Sequence, residues 1–295
     1  MHKAAKTSVS FWITGLIFSA LWASASVASK IGLQSAQPFV ISFCRFCMAS
    51  GTMLFLSHVI LKKPLPAGKQ WKQLAIFGLL NVALYLGFFI LAMGQVSAGL
   101  GSLSLALNPV LIAVLYSILQ RQPPNLLRLI TLLLGFAGVM VCAYPLITGS
   151  HASLLGMLTL LLSMLVYSLG TIYFQKTNWQ TLDMLTINGW QTFFGAVFTL
   201  PAMLFFLRPG LNHFNLSFWL ATIWLAIVVS IAAVQSWIWL LRHHSQKASF
   251  WLFLCPILGF IYSSWLTHEP LGWLTLFGTL IVLAALAINM RNKKL

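Results

Sequence analysis

Ser19, Trp22, Ser26 and Lys30 recur at i, i+3, i+7 and i+11, so they share one face of any helix that contains them. Asn81, Tyr85, Phe88 and Ala92 at i, i+4, i+7 and i+11, and Ser163, Tyr167, Thr171 and Phe174 at i, i+4, i+8 and i+11, likewise share a helical face, while Ser230 and Val234 neighbour Gln235 and Trp239. Such faces offer amides, hydroxyls and aromatic rings without charge. They can hold a small solute, but covalent chemistry needs a nucleophile with its base, a carboxylate pair or a metal set. The chain has only 2 acidic residues, Asp183 and Glu269, both at the ends of apolar segments. His243 and His244 are adjacent and so point to different sides of a helix, which rules out an i, i+4 metal pair. Cys44 and Cys47 form a C-x-x-C inside an apolar run, without the strand-helix context of a redox motif, and with Cys142 and Cys255 they read as packing residues. No catalytic residue, metal ligand or cofactor is expected.

The elements that must carry these faces follow from composition. Of 295 residues, 60% are hydrophobic and 6% charged, too few charges to clothe a soluble protein of this length. Lipid is therefore the solvent, and apolar runs of about 18 to 23 residues each suffice to cross a hydrocarbon core as a helix. A transmembrane barrel would instead alternate polar and apolar residues over segments of about ten, and no such pattern appears. Ten spans are expected, over 11–29, 39–61, 74–93, 98–119, 127–145, 154–175, 183–207, 217–240, 248–267 and 271–290, joined by short loops. The first resembles a secretory signal with small residues near a cleavage point, but a retained helix is expected, because its loss would break the repeat described below.

Charge sets the orientation. With the N-terminus in the cytoplasm, Lys3, Lys6, the four lysines between 62 and 72, Arg121, Arg128, Lys176, Arg242, Lys247, Arg291, Lys293 and Lys294 lie inside, leaving Lys30 and Arg208 outside. That asymmetry satisfies the positive-inside rule and accounts for the 17 basic residues without a nucleic-acid partner. Both termini are then cytoplasmic in a multi-pass protein of the inner membrane. Arg45 falls within the second span, where a charge is costly. A structural role is favoured, snorkelling outward beside Glu269 or meeting carbonyls at a helix end, ahead of anion binding.

Residues 107–140 align with 254–287 at one constant offset. Pro109 matches Pro256, Leu119 matches Leu266, Pro123 matches Pro270 and Gly138 matches Ala285, whereas Gln122 faces Glu269 and Asn108 faces Cys255. Two five-span halves, 1–148 and 149–295, result. An odd number of spans inserts the second half upside down, as an inverted repeat. Pro109 and Pro256 are expected to kink their helices, Pro109 by leaving the carbonyl of Leu105 without its usual donor. Asn108 would either compensate that carbonyl or meet a solute.

The segments LWASASVASKIGL (21–33), QPFVISFCRF (37–46), SAGLGSLSLALNPVLIAVL (97–115) and THEPLGWLTLFGTLIVLAAL (267–286) resemble the successive motifs of the EamA-type transporters of the drug/metabolite transporter superfamily. The resemblance covers the whole chain. It departs at Ala23, where a glycine is usual, and at Gln122, where an acid is usual. It implies a ten-helix fold of two inverted halves and export of small metabolites, amino acids or toxic compounds. The expected substrate pathway comprises Trp22, Ser26, Asn81, Tyr85, Phe88, Asn108, Tyr167, Thr171, Gln235 and Trp239. Its aromatic, amide and hydroxyl lining suits an amphipathic or zwitterionic solute better than an anionic one, moved by alternating access. The expected partners are that small molecule and the lipid bilayer, with a monomer as a possible state. The rival readings are a membrane-embedded enzyme or a scaffold without transport activity.

Overall fold

The computed structural model describes residues 9–121, 126–148, 152–179, 182–240, 251–252, 254–269 and 271–291. Lys3, Lys6, Gln122, Pro123, Arg242, the His243–His244 pair, Lys247, Pro270, Lys293 and Lys294 lie outside these described residues.

Ten helical stretches are described: α1 (Val9–Leu33), α2 (Pro38–Ile60), α3 (Lys69–Met93), α4 (Ala98–Leu119), α5 (Leu126–Thr148), α6 (Leu154–Lys176), α7 (Met184–Phe206), α8 (Leu216–Leu240), α9 (Leu254–Thr267) and α10 (Trp273–Arg291). Eight of them are long and apolar enough to cross a membrane, while α9 and the Trp273–Ala285 stretch of α10 are shorter apolar helices. The fold is all-helical, and no strand occurs among the described residues. The helix starts have local causes. Side-chain oxygens of Ser97, Ser153, Asp183 and Asn215 accept from the backbone N–H groups of Leu100, Gly156, Leu185 and Phe218, filling the first-turn donors of α4, α6, α7 and α8. Pro38 opens α2, where a missing N–H costs nothing. α3 begins at Lys69, before the expected 74, because the polar turn Lys69–Gln73 extends the helix beyond its apolar part.

Four spans are not uniform α-helix. Phe55–Ile60 in α2, Leu79–Leu84 in α3 and Trp224–Ala233 in α8 are π-helical, and Leu105–Leu107 in α4 is a 3₁₀ turn. The 3₁₀ turn changes the expectation for Pro109. The backbone N–H of Asn108 bonds the carbonyl of Leu105, so that carbonyl is satisfied without the Asn108 side chain. Pro256 is the third residue of α9 as described.

The principal contacts pair α5 with α10, α2 with α7, α4 with α9, α1 with α8 and α9, α6 with α3 and α4, and both α2 with α8 and α3 with α7. Exchanging each helix of the first five with the one five places later maps this set onto itself. The α5–α10 contact is tight because Gly138 and Gly278 bring two backbones together: a Cβ on Gly138 would stand 2.8 Å from the Gly278 carbonyl. Gly138→Ala should therefore overpack this contact and cost about 1–3 kcal/mol, read as a lower melting temperature in detergent. Gly51→Ala, with nothing within 4 Å of its Cβ, is the control and should be neutral or slightly stabilising. Equal melting temperatures for the two variants would contradict this account.

Candidate functional site

Within α7 an amide pair stands one turn apart, Asn188 and Gln191, both buried. Gln191 Nε2 donates to Asn188 Oδ1 at 2.8 Å, and Gln191 Oε1 accepts from Asn81 Nδ2 of α3 at 3.2 Å. Asn188 Nδ2 donates to the carbonyl of Ser230 on α8 at 3.2 Å. The Ser230 hydroxyl in turn accepts from Arg45 Nε and Nη2 of α2, at 3.2 and 3.1 Å. A chain of polar groups, passing through the Ser230 backbone carbonyl, thus links α2, α3, α7 and α8. Tyr85 of α3 stands near Arg45, and its ring lies 4.8 Å from that of Tyr167 on α6.

Backbone geometry puts these groups there. Gly78 faces the Gln191 carbonyl and Gly195 faces Val82, so α3 and α7 approach where any Cβ would collide. Asn81 and Ser230 each sit in a π-helical turn, a wide turn that frees carbonyls and recurs at functional sites. The Ser230 hydroxyl uses one of these, donating to the carbonyl of Leu225 five residues back at 2.9 Å. The π segments of α3 and α8 occupy corresponding spans of the two sequence halves.

The expected pathway residues divide. Asn81, Tyr85 and Tyr167 belong to this centre. Phe88 packs against the large apolar cluster that contains Tyr85 and Phe89. Trp22 and Trp239 border a separate aromatic cluster with Phe18, Trp251 and Cys255. Ser26 is fully buried and accepts from Ser102 of α4 at 3.1 Å, and Thr171 donates to its own helix at the Tyr167 carbonyl, 2.9 Å. Both hydroxyls are occupied in packing. Asn108 is 7% exposed, and among the described residues its Oδ1 and the buried Gln235 Nε2 have no hydrogen-bond partner. Of the two placements expected for Arg45, beside Glu269 or at carbonyls of a helix end, the first is not the one found: its guanidinium bonds the Ser230 hydroxyl. Lys30 takes the place beside Glu269, because it ends α1 next to the α9–α10 turn, whereas Arg45 lies within α2 against α8. Sequence reading assigned no role to Asn188 and Gln191, although an i, i+3 amide pair in an apolar span is a visible signal.

The two ends of the bundle differ. At one end Glu269, buried, accepts from the backbone N–H groups of Ala98 at 2.8 Å and Gly99 at 3.3 Å and from the Ser263 hydroxyl, and pairs with Lys30 at 3.3 Å. Lys30 Nζ also donates to the Val96 carbonyl at 2.6 Å. These groups border a crevice of about 520 Å³ that includes Gln95, Ser153 and Thr267. Beside them Gln37 of the α1–α2 turn bonds Asn212, Arg208 and the Phe206 carbonyl of the α7–α8 segment. At the other end, which carries Lys62, Lys63, Lys69 and Lys72, the Ser57 and Thr186 hydroxyls bond at 2.6 Å, and Trp190 donates to His58 at 2.9 Å. Among the described residues, α9 packs on the Ala98–Leu107 part of α4, toward the Glu269 end, and the Asn108–Leu119 part packs on α5, α6 and α10. A small apolar cavity of about 110 Å³ between α4, α5 and α6 shares no residue with the polar chain.

Comparison with known proteins bears on this arrangement. Residues 10–144 and 154–291 each match the model of the EamA-like transporter family. An uncharacterized transporter of Bacillus subtilis is 25% identical over 300 residues, covering 99% of this chain and 95% of its own length. A WAT1-related chloroplastic protein of Arabidopsis thaliana is 27% identical over 275 residues, 90% of this chain and 66% of its own. Protein PecM of Dickeya dadantii is 24% identical, over 91% of this chain and 88% of its own. A solved crystal structure superposes with a TM-score of 0.65 at 16% identity, covering 95% of this chain and 96% of the other, a likeness of fold.

Proposed function

The chain belongs to the EamA-like transporter family and is a multi-pass membrane transporter, and from that premise we propose that it exports small amphipathic metabolites, amino acids or drug-like compounds by alternating access. The carrying observation is the chain Asn81–Gln191–Asn188–Ser230–Arg45. Lipid would reject these groups. They join α2 and α3 of the first matched segment to α7 and α8 of the second, where a solute pathway between two moving halves would run.

In this reading all ten helices cross the inner membrane, as two inverted five-helix halves over residues 1–148 and 149–295 with both termini cytoplasmic. The exchange symmetry of the helix contacts supports the repeat, and the cluster of lysines between 62 and 72 supports placing that end in the cytoplasm. The Glu269 end then faces outward and is clasped. Export requires that this clasp part so that the outer side opens.

Proteoliposomes loaded with a radiolabelled panel of amino acids, amines and drug-like compounds provide the test. At least one should leave faster than from protein-free vesicles, and overexpressing cells should enrich the same compound outside. A panel retained equally by both kinds of vesicle would argue for a scaffold.

A further inference from the structure

Among the described residues, Arg45 has no counter-ion. It is 7% exposed, and two of its donors converge on one neutral hydroxyl, that of Ser230. That hydroxyl gives its own proton to the Leu225 carbonyl, so nothing negative reaches the guanidinium from α8. The chain has only 2 acidic side chains with which to neutralise it. Asp183 caps α7 through the Leu185 N–H, and Glu269 is held by Lys30 and the first turn of α4. A guanidinium stays protonated in proteins, and a buried charge left unpaired is strongly unfavourable. A structural arginine could have been replaced by a neutral side chain bonding Ser230. Retaining the charge makes physical sense where an anion arrives from outside.

We propose that Arg45 anchors the carboxylate of the transported solute, a small monocarboxylate or zwitterionic amino acid, between Ser230 and the Tyr85–Tyr167 pair. The word "transported" rests on the function proposed above; the anchoring site does not. The fork of N–H groups on a guanidinium matches the two oxygens of a carboxylate. One cation balances one carboxylate, whereas a phosphate dianion would call for a second base that the polar chain does not supply. The flanking phenols offer an aromatic wall to the rest of the solute. Arg45 stands seven residues into α2, roughly 10 Å along the helix axis from Pro38, deeper than a lipid headgroup sits.

The test uses full-length protein in nanodiscs of phosphatidylcholine alone, probed by thermal shift and equilibrium binding with the common L-amino acids and simple aliphatic and aromatic monocarboxylates, each beside its primary amide. At least one acid should bind, with its amide about 30-fold weaker or more. Arg45→Gln should lose the acid by a similar factor, and Arg45→Lys should recover part of it. The acid–amide comparison on the unaltered protein stands even where Arg45→Gln fails to fold. An amide bound as tightly as its acid, an Arg45→Gln protein that binds the acid normally, or no bound acid in the panel would each overturn the proposal. So would stabilisation by added phosphatidylglycerol that depends on Arg45 while no acid binds, which would make a lipid the anion. Binding of an acid that never crosses proteoliposomes would uphold the anchor and sink the transport reading; transport indifferent to the carboxylate would do the reverse.

Discussion

Glu269→Ala is expected to cost about 3–5 kcal/mol, the range for removing one member of a buried charge pair, and to lower the melting temperature more than any other single change at its end of the bundle. The carboxylate serves four donors from three helices: Lys30 of α1, the Ala98 and Gly99 N–H groups opening α4, and Ser263 of α9. Its loss strands two first-turn N–H groups, at the positive end of a helix dipole, and leaves Lys30 with the Val96 carbonyl alone. Lys30→Ala should be milder. Its side chain is 28% exposed against 8% for Glu269, so water screens the pair from one side, and the carboxylate keeps its backbone donors. Glu269→Gln should fall between, because one half of an amide must present N–H groups where only acceptors fit. The ranking is read from unfolding temperatures of the three variants in one detergent. A Lys30→Ala protein as damaged as Glu269→Ala would mean that the ion pair, and not the capping of α4, holds this end together.

The frame of the molecule was legible because a membrane leaves one choice of element and a narrow choice of length. The spans expected over 98–119, 154–175 and 217–240 correspond to Ala98–Leu119, Leu154–Lys176 and Leu216–Leu240. The ninth, expected over 248–267, is described as Leu254–Thr267, with 248–250 and 253 outside the described residues. Hydropathy reports what lipid accepts; it is silent on hydrogen-bond register. The π turns that carry Asn81 and Ser230, and the 3₁₀ turn that satisfies the Leu105 carbonyl, depend on which carbonyl each N–H chooses, and that choice follows from packing.

The candidate site was legible in part for a related reason. Periodicity gathers residues onto a face of one helix, but cannot say which helix comes next to it. Ser26, Asn81 and Thr171 looked alike along the chain; across it, Ser26 meets Ser102, Thr171 meets its own backbone and only Asn81 reaches another helix's amide. Arg45 was visible as a costly charge, yet its neighbour was misplaced because loop geometry, not proximity in hydropathy, delivers Lys30 to Glu269.

Gln191 is the joint of the polar chain, and Gln191→Leu should reduce transport by at least about tenfold while costing only about 1–3 kcal/mol of stability. Leucine nearly matches the shape of glutamine, so the close approach of α3 and α7 at Gly78 survives. The hydrogen bonds do not. Asn188 Oδ1 loses its donor and Asn81 Nδ2 its acceptor, and each stranded group must turn to the solute path or to a new partner. Because these amides act as one unit, Asn81→Leu combined with Gln191→Leu should be no worse than the more damaging single change. Ser26→Ala and Thr171→Ala should transport at the unaltered rate. The measurement is efflux, from proteoliposomes, of the solute that the unaltered protein moves fastest, with melting temperature followed in parallel. Strictly additive losses from Asn81→Leu and Gln191→Leu, or a Gln191→Leu protein that transports normally, would dissolve the chain into independent packing contacts.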